Sequence, residues 1–143
     1  MFSSVRQISF SGYSMYPTLR PGDTLVVREI PSKDIQVGDI LCIPENGNYV
    51  SHRVVHLETK DNLRLISTKG DNLNRCAPPV EIREDALLKV VMVKRAGKGL
   101  VKPGFAKTLA LLSRNNLTYG IIKGKAGRLF RNIYKSKNQP LGG

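Results

Sequence analysis

Long apolar runs are missing from this chain of 143 residues. The longest, 86–93 and 109–112, are short or broken by lysine, and fall well below the ~20 apolar residues that span a bilayer. The segment from Met1 to Phe10 lacks the apolar centre of a secretion signal. A soluble, cytoplasmic protein is therefore expected, at most peripheral to a membrane. Cysteine is scarce as well. Cys42 and Cys76 stand in no metal-ligand or redox spacing, so they read as small buried hydrophobes or surface thiols, which suits a reducing cytoplasm. Acidic residues are absent from the whole second part of the chain. Residues 1–93 hold 11 Lys+Arg and 11 Asp+Glu, whereas residues 94–143 hold 12 Lys+Arg and no acid, so the net charge of +12 lies entirely in the latter. A neutral body carries a basic tail, and the two need separate explanations.

What is present in the body is β-forming. With 41% hydrophobic residues the chain can bury one core and is too short for two. Short runs rich in β-branched residues, bounded by Gly, Pro, Asp and Asn, predict a mainly β fold with strands near 5–10, 24–29, 40–44, 49–57, 63–68 and 87–94. Three Gly-Asp pairs, Gly22-Asp23, Gly38-Asp39 and Gly70-Asp71, punctuate them as turns. The body is placed at 1–97 and a partly helical extension at 98–143. Within that extension, 105–114 and 121–134 have helical spacing, with Ile122, Ala126, Leu129, Phe130 and Ile133 on one side.

The chemistry concentrates in a few residues. Both histidines of the chain, His52 and His56, lie in Tyr49-Val-Ser-His-Arg-Val-Val-His56. On a strand they share a face but stand roughly 13 Å apart at ~3.3 Å per residue, so one metal ion cannot take both. A turn centred near Asp61 makes paired positions of the following hairpin sum to about 122, which sets His52 opposite Gly70 and brings Asp71 within its reach. A histidine oriented by a carboxylate is the base half of a nucleophilic site. Ser11-Gly12-Tyr13-Ser14-Met15-Tyr16-Pro17 offers the hydroxyl: Gly12 permits a bend, Pro17 stops a helix, and Ser14 is the candidate nucleophile.

Ser14-Met15-Tyr16-Pro17-Thr18-Leu19 with Pro21-Gly22-Asp23 resembles the nucleophile box of type I signal peptidases. Val37-Gly38-Asp39-Ile40-Leu41, Ser51-His52-Arg53-Val54-Val55 and Thr68-Lys69-Gly70-Asp71-Asn72 resemble three further boxes in the family's order. His52-Arg53-Val54 is similar to the archaeal and endoplasmic-reticulum branch, whose base is histidine where bacterial housekeeping enzymes have lysine. The resemblance implies the β-fold that signal peptidases share with LexA-type domains. It also implies a cofactor-free serine peptidase with Ser14 as nucleophile, His52 as base and Asp71 as third member. Lys69 is the alternative base.

This chain departs from the pattern in three ways. No second carboxylate follows Asp71 within 73–77. Tyr13 separates Gly12 from the nucleophile, so the candidate oxyanion and substrate surface is the backbone around Ser14, flanked by Gly12 and Met15, with the Ser14 N–H foremost. With thirteen residues before the serine, the family's membrane anchor is not expected upstream of it. The expected substrate is a leader, signal or precursor peptide bound as an added strand. The basic stretch 98–137 is expected to touch an anionic membrane or acidic protein rather than nucleic acid. A degraded β-domain that binds through its tail, or a LexA-type self-cleaving regulator, are the competing readings.

Overall fold

A computed structural model of the chain describes residues 4–103. Eight strands follow in order: β1 Val5–Ser9, β2 Thr24–Pro31, β3 Ile40–Glu45, β4 Asn48–Lys60, β5 Leu63–Lys69, β6 Val80–Glu81, β7 Ala86–Arg95 and β8 Gly99–Val101. They form one antiparallel sheet in the order β1-β2-β7-β3-β4-β5-β6, with β8 added to β7. The fold is mainly β, as expected, and the sheet curls into a half-barrel. Among the described residues the only helical element is a single 3-10 turn, Ser32–Asp34. The helices predicted at 105–114 and 121–134 lie outside the described residues.

Two tight hairpins set the register. Asn46 and Gly47 have φ of 50° and 79°, and Asp61 and Asn62 have 52° and 62°. Positive φ at both central positions is the two-residue turn whose twist matches that of its strands. The second turn carries β4 into β5 with Lys60 opposite Leu63, and before the strand irregularity Arg53 faces Lys69, a sum of 122. The turn sets a sum of 123, from Lys60 and Leu63 to His56 and Ser67, and only the irregularity between Val54 and His56 brings it to the expected 122 beside His52.

The pleat sorts side chains to two faces. Phe10, Met15, Leu19, Leu25, Val27, Ile40, Cys42, Val90 and Val93 pack in one core cluster. Ile30, Ile35, Leu41, Val54 and Ile66 form the other. A bulge between Val54 and His56 corrects one expectation. The extra residue shifts the alternation, so Leu57 rather than His56 packs with the Val54 cluster, and His52 and His56 do not share a face.

Candidate active site

The Gly-Asp pairs are turns of a particular build. Gly22 and Gly38 have φ of 91° and 101°, a region that side chains avoid. One carboxylate oxygen of Asp23 accepts the Arg20 N–H at 2.8 Å, and one of Asp39 accepts the Gln36 N–H at 2.9 Å. β7 then supplies a cation to each: Arg95 to Asp23 at 2.7 Å and Lys89 to Asp39 at 2.8 Å. The burial of both aspartates is thereby compensated.

Between the first core strands, Ser14 rides on a loop anchored by its apolar neighbours. Met15 and Leu19 are fully buried, and the loop closes on itself through the Tyr16 N–H to the Tyr13 carbonyl and the Leu19 N–H to the Met15 carbonyl. Tyr13 and Tyr16 stack with ring centroids 4.7 Å apart. The third Gly-Asp turn clasps this loop from the side. The Asn72 N–H donates to the Ser14 carbonyl at 2.7 Å, and the Asn72 side chain donates to the Tyr13 carbonyl at 3.1 Å. Gly70 lies so close that a Cβ there would stand 2.6 Å from the Ser14 carbonyl oxygen. Met15 sends its sulfur to the Asp71 N–H at 3.4 Å, so its side chain is a packing element of the site. The Ser14 N–H donates to no acceptor among the described residues.

His52 sits on β4 opposite Leu41 of β3, one position before Arg53 pairs with Lys69 of β5. β5 ends there and turns through Gly70, the residue pressed against Ser14. The part of β4 that carries His52 and the turn that clasps Ser14 are therefore neighbours. Burial pushes the His52 imidazole below its ordinary pKa; Glu45 and then Asp71 oppose this through their negative charge without reversing it. Ser14 Oγ and the imidazole are not hydrogen-bonded to each other among the described residues. Such bonds commonly tighten only when substrate binds.

Asp71 departs from its expected contact. Its carboxylate takes a two-point fork from Arg53, at 2.8 Å to each oxygen, and the Thr18 hydroxyl at 2.6 Å. Arg53 also donates to the Gly38 carbonyl at 2.9 Å. The hairpin register is as predicted, but it places Arg53, whose long fork is more extended than imidazole, against the carboxylate. Asp71 acts on His52 through its field alone. Lys69 is buried, and burial lowers its pKa against the opposing charges of Cys76 and Asp71. Arg53, Thr18 and Arg95 escaped the reading of the sequence. The rule that a fully buried charge must be paired could have flagged Arg53, but only once its burial was known.

A cleft of about 490 Å³ opens at Ser14. Ser11, Gly12 and Ser14 line one side, and Asn48, Tyr49 and Ser51 line the other. Ile8 and Ser9 of β1 also line it, and among the described residues β1 pairs only with β2 and β4 pairs with β5 only from Arg53 onward, so open strand edges border the cleft. No cluster of metal-ligating side chains occurs among the described residues. Cys42 bonds Ser51 at 3.1 Å, and burial raises its thiol pKa, which keeps it unreactive.

Residues 4–93 match the family described as Peptidase S24-like. An uncharacterized protein of Methanocaldococcus jannaschii is 28% identical over 121 residues, 78% of this chain and 60% of the relative. The chain thus spans about three fifths of that relative's length. No solved structure matches it significantly.

Proposed function

We propose that this chain, which belongs to the Peptidase S24-like family, is a serine endopeptidase that cleaves a leader, signal or precursor peptide, with Ser14 as nucleophile and His52 as general base. The observation that carries the reading is the clasp of the 70–72 turn on the Ser14 carbonyl, where β5 ends next to the β4 segment that bears His52, beside a cleft that opens on Ser14. Assignment to the histidine branch of signal peptidases rests on His52-Arg53-Val54 and belongs to the same proposal.

An extended peptide lies along the cleft and pairs with the edges of β1 and β4, since main-chain bonds to an open edge bind without regard to side chain. Ser14 Oγ attacks the scissile carbonyl carbon as its proton passes to His52. The Ser14 N–H stabilises the developing oxyanion. His52 returns the proton to the leaving nitrogen as the C–N bond breaks, and water, deprotonated by the same imidazole, then frees the acyl group. An imidazole held below its ordinary pKa is neutral, and so able to accept a proton, at neutral pH. Asp71 locks Arg53 and Thr18 in place and favours the transient imidazolium by its charge.

Incubation of the purified chain with a peptide library, read by mass spectrometry, tests this. Cleavage that vanishes in Ser14→Ala and in His52→Ala, with both variants folded, is the expected outcome. Undiminished cleavage by either variant overturns the assignment. The basic stretch beyond β7 brings the enzyme to an anionic membrane surface, where lysine and arginine gain from lipid charge and interleaved apolar residues gain from burial.

A further inference from the structure

Arg95 is the last residue of β7 and lies outside the stretch that matches the family. Its guanidinium nevertheless ends at the nucleophile loop. Nε donates to one oxygen of Asp23 at 2.9 Å, and one terminal nitrogen donates both to the other oxygen at 2.7 Å and to the Thr18 carbonyl at 3.0 Å. The Asp23 carboxylate is buried and also receives the Arg20 N–H. Burial works against its ionisation, yet the bonds and charges of Arg95 and Arg20 hold its carboxyl below the ordinary range.

Thr18 is consequently gripped twice. Its hydroxyl binds Asp71, which Arg53 holds through its fork, and its carbonyl binds Arg95. Asp23 accepts the Arg20 N–H, so Arg95 fixes the loop's exit as well as its middle. Ser14 lies one helical-like turn before Thr18, in a loop whose other ties are the clasp of Asn72 and the buried Met15.

We propose that Arg95 is a positioning residue that holds the Ser14 loop in its attacking geometry through the Thr18 carbonyl and the Asp23 carboxylate, a role that rests on Ser14 being the nucleophile. A guanidinium is needed because three donor contacts in one plane reach two acceptors groups apart in the chain; an ammonium keeps the charge and loses that fork. β7 thus carries the position of the loop, and Lys89 on the same strand makes a comparable ion pair, with Asp39, that does not touch the loop.

The test is acylation of the full chain by a β-lactam probe, whose ring amide opens as Ser14 Oγ forms an ester and the ring nitrogen takes up the proton. The rate at saturating probe and the half-saturating concentration are measured for the parent, Arg95→Lys and the control Lys89→Gln, well below their melting temperatures. Failure of the parent to be labelled at Ser14 defeats the serine assignment itself. With the parent labelled, Arg95→Lys is expected to lower the maximal rate by between about tenfold and a hundredfold, as a displaced nucleophile does, while half-saturation and the pH midpoint stay in place. Lys89→Gln is expected to keep the parent rate. An unchanged maximal rate in Arg95→Lys, or an equal fall in Lys89→Gln, overturns the proposal. Should Arg95→Lys not fold, Asp23→Asn, which keeps Arg95 but removes its anchoring charge, is expected to show the same pattern, and an unchanged rate there overturns it equally.

Discussion

At His52, burial outweighs the two carboxylates that favour its charged form, so the imidazole protonates only below the ordinary histidine value of about 6.5. Two measurements follow from that direction. Peptide cleavage should fall on acidification with a midpoint below about 6.5, because the proton-accepting form is lost there; an alkaline limb, with activity lost in Lys69→Ala instead, would give the role to Lys69. Stability should move the same way. The unfolded chain takes up this proton more readily than the folded one, so the contribution is complete above about 6.5 and declines as pH drops through the window down to the lowered folded value. His52→Gln should flatten unfolding free energy against pH in that window.

Asp71 gives a second prediction at this scale. Arg53 and Asp71 are 0% and 2% exposed, so Asp71→Asn leaves a guanidinium buried without its counter-charge. The expected loss of stability is about 3–5 kcal/mol, read by denaturant unfolding, with slower cleavage in whatever fraction folds. Arg53→Met combined with Asp71→Leu should cost less than the sum of the single changes, since no charge is then stranded. Additive losses would show that the pair is not coupled as its fork implies.

Among the elements, the 70–72 turn bears most directly on the site. Gly70→Ala would set a methyl carbon 2.6 Å from the Ser14 carbonyl oxygen and 3.0 Å from the Leu73 side chain. The backbone on one side must move, and the Asn72 clasp with it. Cleavage should drop by up to about a hundredfold, the scale of a misplaced catalytic group. Gly12→Ala, whose methyl would meet only the Phe10 ring at 3.4 Å, should melt with the parent. Full activity in Gly70→Ala would separate the clasp from catalysis. The short strands show why elements differ in legibility. β6 has Val80 and Glu81 alone, and β8 is Gly99–Val101; neither is long enough to show an alternation, and each exists because a longer neighbour offers an edge.

For the whole molecule, the charge divides the chain and the sheet refines where. β8 pairs with β7 inside the segment assigned to the extension, so a truncation that tests the tail belongs after Pro103. The shortened protein should keep its melting temperature and its cleavage of short peptides. It should lose salt-sensitive binding to anionic vesicles, to which each lysine or arginine near the surface contributes about 1 kcal/mol. Vesicle binding that survives truncation, or a full-length chain that ignores vesicles at low salt, would remove the docking role. No helix among the described residues is long and apolar enough to cross a membrane.

Local chemistry by itself determined the longer strands, the hairpin turn around Asp61, the Gly-Asp turns and the register of β4 and β5 to within one residue, because alternation, positive-φ residues and a two-residue loop act over a few positions of chain. Ser14 and His52 stood out by type and neighbourhood for the same reason. Which acceptor each charge finds was decided only by the tertiary structure. Asp71 and Arg53, 18 positions apart, meet because β4 and β5 pair; Asp23 and Arg95, 72 positions apart, meet because β7 crosses between β2 and β3. The bulge at Val55 likewise follows from packing, and it alone separated the faces of His52 and His56. Pairing of a buried charge depends on where strands far apart in sequence come to rest, and no local pattern records that.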